Sequence, residues 1–138
     1  MIIRYMKKED YYEIYELWNS SKEIRINIQD DTYEKISKFI DYNSNLCIVA
    51  IENSEIIGSV LAGYDGRRGH IYNTIVRSDY RSKGIGNKLI DKVLEEFKSK
   101  EVNEIDLLSI INNHEGNTFW EHKGFLLNEN LNYRRKNI

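Results

Sequence analysis

Proline is absent from this 138-residue chain, and no linker, repeat or low-complexity tract interrupts it. A second domain is therefore not expected. The single cysteine, Cys47, excludes an internal disulfide and any multi-cysteine metal site, and it fits a reducing compartment. Lying inside an apolar run, it reads as a small buried hydrophobe, not a nucleophile. Charge of one sign is also lacking: 20 Lys and Arg against 22 Asp and Glu leave a net charge of −2. No global basic field exists to hold nucleic acid or an anionic membrane, so any anion site must be local. No apolar run approaches the roughly 20 residues of a membrane span. The opening Met1-Ile2-Ile3-Arg4-Tyr5 lacks the apolar stretch of a signal peptide. His70, His114 and His122 show no repeated ligand spacing, so no metal is expected. What remains is 41% hydrophobic and 30% charged, the balance of a soluble globular protein long enough to bury a core. The expectation is one cytoplasmic domain over residues 1–138, without nucleic-acid or membrane partners, as monomer or homodimer.

Periodicity gives the elements. Residues 2–5 read as a short strand. Tyr11, Ile14, Tyr15 and Trp18 recur at three- and four-residue spacing, predicting a helix over 8–19. Asp31 followed by Glu34 resembles a capping arrangement, opening a second short helix with Tyr33, Ile36, Phe39 and Ile40 on it. The period then changes. The apolar run 46–51, a turn at 53–55, the run 56–64, Asp65-Gly66 and the run 69–76 predict three strands in an antiparallel meander. Ile85, Leu89, Val93 and Phe97, with Ile90 and Leu94 beside them, make one wide helical stripe. Residues 105–110 predict a strand, 113–123 a helix ended by Gly124, and Phe125 onward a closing strand. The order is β-α-α-β-β-β-α-β-α-β, an α/β protein with a central mixed sheet flanked by helices.

The chemistry concentrates where a strand gives way to a helix. Arg81-Ser82-Lys83-Gly84-Ile85-Gly86 places two glycines and two cations there, with Lys88 just beyond. The first amides of a helix lack internal partners and carry the positive end of its dipole. Glycine removes the Cβ atoms that would hold a ligand off. This is a cradle for phosphate or pyrophosphate. A dinucleotide fingerprint fits poorly, because it wants a third glycine where Leu89 stands and opens the first βα unit of a domain. A Walker loop fits poorly too, because Gly-Lys-Ser/Thr is missing.

The same residues resemble the Arg/Gln-x-x-Gly-x-Gly/Ala signature of the GNAT N-acetyltransferases. Asn113-x-x-Gly116-x-x-Phe119-Trp120-Glu121-x-x-Gly124-Phe125 is similar to that family's second motif, and the element order is the family's order. The loop Gly63-Tyr64-Asp65-Gly66-Arg67-Arg68-Gly69 looks like that of a bacterial subgroup near the ribosomal-protein alanine acetyltransferases. The resemblance implies a GNAT-like fold and an acetyl-coenzyme A-dependent N-acetyltransferase, moving acetyl to a small-molecule or protein N-terminal amine by direct attack in a ternary complex. It implies that the amides from Arg81 through Ser82, Lys83, Gly84, Ile85 and Gly86 to Asn87 bind the coenzyme's pyrophosphate. It also implies that 74–76 pairs with the pantetheine arm and carries a bulge, that an Ile75 or Val76 amide polarises the thioester carbonyl, and that Asn113 contacts the arm.

Departures from the family pattern bear on mechanism. Trp120 stands where a tyrosine often serves as general acid, and indole N–H is no usable acid near neutral pH. That substitution keeps a non-catalytic acyl-coenzyme A-binding module as the alternative, with packing beside Phe119 as the plainer role for Trp120. A weaker rival is a nucleotide-binding α/β protein using Gly84 and Gly86. Gly116 replaces a usual alanine, and the proline common before the Tyr80-Arg81 pair is missing, which leaves the loop's rigidity unexplained. His70 and Tyr72 share one face of the strand over 69–76. Tyr72 is the candidate polar group near the amine, directly or through water, and His70 reads as solvated beside the turn. His114 and His122 read as surface residues. Asp65 is a turn former by its Asp-Gly pair, or a selector of charged acceptors together with Arg67 and Arg68.

Overall fold

The computed structural model describes residues 1–138, which fall into two units, Met1–Leu108 and Ser109–Ile138. In the first, β1 (Ile2–Tyr5), β2 (Cys47–Glu52), β3 (Glu55–Tyr64) and β4 (Gly69–Val76) pair antiparallel in that order. β5 (Ile105–Leu107) joins β4 in parallel, so the five-stranded sheet is mixed. Asn53 and Ser54 connect β2 to β3 with φ of 52° and 64°, as a two-residue hairpin turn with both central residues left-handed requires.

Strand alternation sorts the core into two faces. Cys47 and Val49 of β2 join Ile14, Leu17 and Trp18 of α1 (Tyr11–Asn19) and Ile36 and Ile40 of α2 (Tyr33–Tyr42) in one buried cluster. The alternate residues turn to α3 (Ile85–Ser99). A Cβ added at Gly58 would meet Leu89 at 3.1 Å and Ala50 at 3.6 Å, and one at Gly69 would meet the Phe97 ring at 2.6 Å. Those two positions lack side chains because α3 lies that close. Cys47 is fully buried, and burial pushes its thiol up to about 12, so it packs and does not react.

Two bulges interrupt the ladders. Near the β2–β3 turn, Ala50 faces Gly58 while Ile51 faces Ile56, which leaves one extra residue on β3. Glu13 of α1 accepts the Ile56 amide there at 2.6 Å. On the other side of β3, Val60 faces Thr74 and Ala62 faces Ile71, so the extra residue lies at 72–73 of β4. This is slightly earlier than the 74–76 segment where a bulge was expected.

Other expectations are corrected. The helix read over 8–19 begins as a 3-10 turn, Lys8–Asp10, because the Asp10 carboxylate turns back to accept the Lys7 amide at 2.8 Å. α2 is capped by Thr32, whose Oγ1 accepts the Lys35 amide at 3.2 Å. Asp31 is not the cap, because its carboxylate is taken by the Asn27 amide at 2.8 Å. Burial raises the Asp31 carboxyl, with that amide opposing the shift. β5 stops at Leu107 and does not reach residue 110.

In the second unit, α4 (His114–His122) ends at Gly124 with φ 90°, where Phe125 donates to the Trp120 carbonyl at 2.9 Å and Gly124 to that of Glu121 at 3.0 Å. This is a Schellman stop. The closing strand expected from Phe125 onward is not formed. Asn128 accepts the Asn130 amide at 3.0 Å, and side chains that bond their own backbone in this way compete with a strand ladder.

Candidate active site

The start of α3 has neither a side-chain cap nor an acid in its first turn, and the missing acid sets it apart from α1, α2 and α4. Its cap is Gly84, with φ 80° and no side-chain hydrogen bond, and its first turn holds no acidic residue. α1, α2 and α4 each carry one there: Glu13, Glu34 and Glu115. The first bond of the α3 ladder runs from the Lys88 amide to the Gly84 carbonyl at 3.2 Å. The amides of 82–87 donate no hydrogen bond within the protein. Ser82 and Gly84 both have positive φ, 62° and 80°, an alternation that curls successive amides into an anion-binding concavity. No atom lies within 4 Å of a Cβ built on Gly84, so conformation and not crowding demands glycine there. Lys83 and Lys88 are exposed beside it.

The connector into this loop is held without proline. Arg77 bonds Asp79 through Nε at 2.7 Å and Glu55 through Nη1 at 2.8 Å, which fixes the 3-10 turn Ser78–Tyr80 between β3 and the loop. The bond to Arg77 holds the Asp79 carboxyl below its ordinary range.

β4 supplies the second part of the site. Its pairing with β5 ends at Ile71 and Leu107, so along 72–76 one edge of the strand has no strand partner. Arg77 donates its amide to Ile57 of β3 at 2.7 Å. Because backbone groups alternate sides in an antiparallel ladder, the Ile75 amide also turns toward β3, while those of Thr74 and Val76 point to the open edge. Of the two expected donors, only Val76 faces outward. Its carbonyl faces outward too and accepts Arg81 Nε at 2.9 Å. The rest of the Arg81 guanidinium forks onto Glu23, with Nη1 to Oε1 at 3.2 Å and Nη2 to Oε2 at 2.9 Å. Arg81 therefore spends its side chain on strand and loop, while the exposed Lys83 and Lys88 are the cations that flank the α3 start.

Tyr72 and His70 do share a face, the one toward α1 and α2. Tyr72 is 49% exposed, and its ring stands edge-on to Phe39 at 5.5 Å and lies 4.3 Å from the His70 ring. A Cβ at Gly63 would press both Phe39 and Tyr72 at 3.3 Å, so glycine makes room for the pair. His70 is half-buried, not solvated as expected, because Tyr72 covers it. Burial lowers its pKa, with Asp106 opposing, which leaves it neutral near pH 7. Asp65 closes the β3–β4 turn, its Oδ1 accepting the Arg67 and Arg68 amides at 2.8 and 2.7 Å. Those bonds hold its carboxyl down.

In the second unit Asn113 caps α4, its Oδ1 accepting the Gly116 amide at 3.0 Å. A Cβ on Gly116 would lie 2.3 Å from Asn113 Nδ2, so the cap as built requires that glycine. Trp120 stands edge-to-face between Phe119 and Phe125, with ring centroids at 5.0 and 5.4 Å, which is packing. His114 and His122 are exposed. No helix is long and apolar enough to cross a membrane.

Sequence reasoning missed Glu23, which belongs to no motif and meets Arg81 across 58 residues of chain. It also missed the left-handed Ser82, which nothing marks because it is not glycine. The missing acid in the first turn of α3 was readable, by comparison with the other helices.

Residues 11–125 match the acetyltransferase (GNAT) family. An acetyltransferase of Pectobacterium atrosepticum is 32% identical over 108 residues, 78% of this chain and 75% of that one. Among solved structures, the PaiA N-acetyltransferase of Thermoplasma acidophilum in complex with coenzyme A superposes with a TM-score of 0.82 at 22% identity, covering 93% of this chain and 91% of that one. The ribosomal-protein-alanine N-acetyltransferase of Brucella melitensis gives a TM-score of 0.73 at 18% identity, covering 99% of each chain. At these identities the two structures establish likeness of fold alone.

Proposed function

Because the chain belongs to the acetyltransferase (GNAT) family, whose members use acetyl-coenzyme A to acetylate amines, we propose that it moves acetyl to a primary amine by direct attack in a ternary complex. One observation carries this reading: an uncapped, acid-free helix start lies next to a strand edge with no partner. The amides of 82–87 would hold the pyrophosphate, with Lys83 and Lys88 adding charge. The open edge of 72–76 would pair with the pantetheine arm as an added strand does.

The Val76 amide would then donate to the thioester carbonyl. As the amine nitrogen bonds to that carbon, negative charge gathers on the oxygen, and the Val76 N–H holds it. A positioned donor of this kind contributes about 3 kcal/mol in known cases. Collapse breaks the carbon–sulfur bond and the sulfur leaves as thiolate, tolerable at a pKa of about 8.5, so no acid is demanded of Trp120. The nitrogen loses its proton to water, with Tyr72 the side chain proposed to stand near it. An α-amine with pKa near 7.8 is more than about 10% neutral at pH 7, whereas a lysine-like amine is only about 0.04% neutral. A protein N-terminus therefore needs no strong base, and this chain offers none on the Tyr72 face beyond His70.

Calorimetric titration with acetyl-coenzyme A, NAD and ATP tests the coenzyme. Binding of acetyl-coenzyme A alone is expected, and silence from all three at millimolar concentration would end the proposal. Thiol release with a panel of tripeptides bearing free N-termini, polyamines and aminoglycosides then tests transfer. Binding without turnover across the panel would favour the acyl-coenzyme A-binding module instead.

A further inference from the structure

Arg81 and Glu23 form a bridge that the transfer reaction as described does not use. Glu23 lies in the segment between α1 and α2, where its amide donates to Ser21 Oγ at 3.0 Å and Ser21 Oγ stands 3.4 Å from Oε2. This local turn aims the carboxylate. Both of its oxygens take the Arg81 guanidinium, in the paired geometry that fixes a planar fork in orientation as well as position. With the fork so held, the remaining edge, Nε, meets the Val76 carbonyl at 2.9 Å. That carbonyl is the last outward-facing acceptor of β4, beyond the end of the pairing with β5. The Glu23 and Arg81 side chains are only 33% and 25% exposed, which limits screening by water. Nothing else in β4 anchors its outward side at this end, for Arg77 is bonded to β3 on the other side.

We propose that Glu23 is a positioning residue: it clamps Arg81 so that Nε stays on the Val76 carbonyl, and so fixes the strand end whose amide is aimed at the thioester oxygen. The inference rests on the transferase reading for its kinetic consequence but not for its structural one. A donor displaced by a fraction of an ångström loses much of its effect on the reaction and little of its effect on coenzyme affinity. Lysine cannot replace Arg81, because one ammonium cannot span Glu23 and the strand carbonyl together. The clamp also joins the segment between α1 and α2 to the coenzyme strand, which makes the pair a unit and their effects non-additive.

The experiment uses the full chain with Glu23→Gln, Glu23→Asp, Arg81→Lys and the double variant Glu23→Gln/Arg81→Lys. Expected for Glu23→Gln is a kcat about tenfold lower with the most active amine of the panel, and an acetyl-coenzyme A Kd within about threefold of the parent. Glu23→Asp should recover part of the loss, and the double variant should be no slower than Arg81→Lys alone. An unchanged kcat, a loss confined to coenzyme affinity, or additive losses would overturn the proposal. Nitrogen-15 NMR of the ligand-free protein gives a readout independent of turnover. Exchange of the Arg81 Nε–H should speed up at least tenfold in Glu23→Gln, and an unchanged rate would reject the clamp. If acetyl-coenzyme A fails to bind the parent protein, the transferase reading falls while this exchange measurement still decides the role of Glu23.

Discussion

α2 and α3 begin under the same physics and solve it in opposite ways. Each start exposes amides without partners and the positive end of a dipole. At α2, Thr32 turns an oxygen onto the Lys35 amide and Glu34 sits in the first turn, so the chain itself meets part of that demand. At α3, Gly84 offers no side-chain oxygen, the first turn holds no acid, and the amides of 82–87 donate to nothing in the protein. The difference separates a helix start with a side-chain cap and an acid from one with neither.

The largest test closes α3 with a negative charge. Gly86→Glu places an acid in the first turn, which favours the helix by a few tenths of a kcal/mol, yet its carboxylate lies where pyrophosphate would. Calorimetry should show acetyl-coenzyme A affinity at least about 100-fold weaker, roughly 2.7 kcal/mol. Thermal unfolding should show no loss of stability. Retained affinity would mean the open amides hold nothing.

The entry to α1 provides the next test, because there a carboxylate holds the turn that leads into the helix. Asp10 accepts the Lys7 amide and takes Arg4 in a pair of bonds at 2.8 and 2.9 Å. Burial raises the Asp10 carboxyl, but the bonds to Arg4 and to the Lys7 amide outweigh it and hold the pKa below the ordinary value. A carboxyl held down in this way stabilises the fold fully above its unfolded pKa, near 4, and loses that contribution as pH falls through the lower folded value. Asp10→Asn should cost about 1–2 kcal/mol at pH 7 and flatten the acid side of the stability profile below pH 4, read by urea unfolding.

Thr32→Ala is expected to cost about 1 kcal/mol by the same measurement and to leave coenzyme affinity unchanged, which would confirm that the α2 cap is structural. The smallest effect belongs to Ser82→Gly. It relieves a left-handed serine, φ 62°, and should stabilise the fold by up to about 1 kcal/mol, with coenzyme affinity within about threefold of the parent. A large loss of affinity would show that the Ser82 side chain, and not only its amide, belongs to the cradle.

Much of this was legible in the residues. The stripe from Ile85 to Phe97 fixes a helix because 3.6 residues make a turn, and Gly69–Val76 was read with its observed bounds because a turn pair precedes it and a charged loop follows. The uncapped start of α3 was legible for the same local reason: glycine and helix start are neighbours in sequence. The closing strand was misread because apolar residues after Gly124 suggest a strand whether or not a ladder partner exists, while Asn128 and Asn130 spend their bonding locally.

The sequence by itself determined most of the elements, the glycine start of α3 and the family, since each depends on residues a few positions apart. Tertiary structure alone decided which β4 amide faces the open edge, because that follows from the pairing of Arg77 with Ile57, and where the bulge falls, because that follows from the register against β3. It also decided that Arg81 serves Glu23 and Val76. No local pattern announces a partner 58 residues away, for an ion pair depends on distance in space and a motif on distance along the chain.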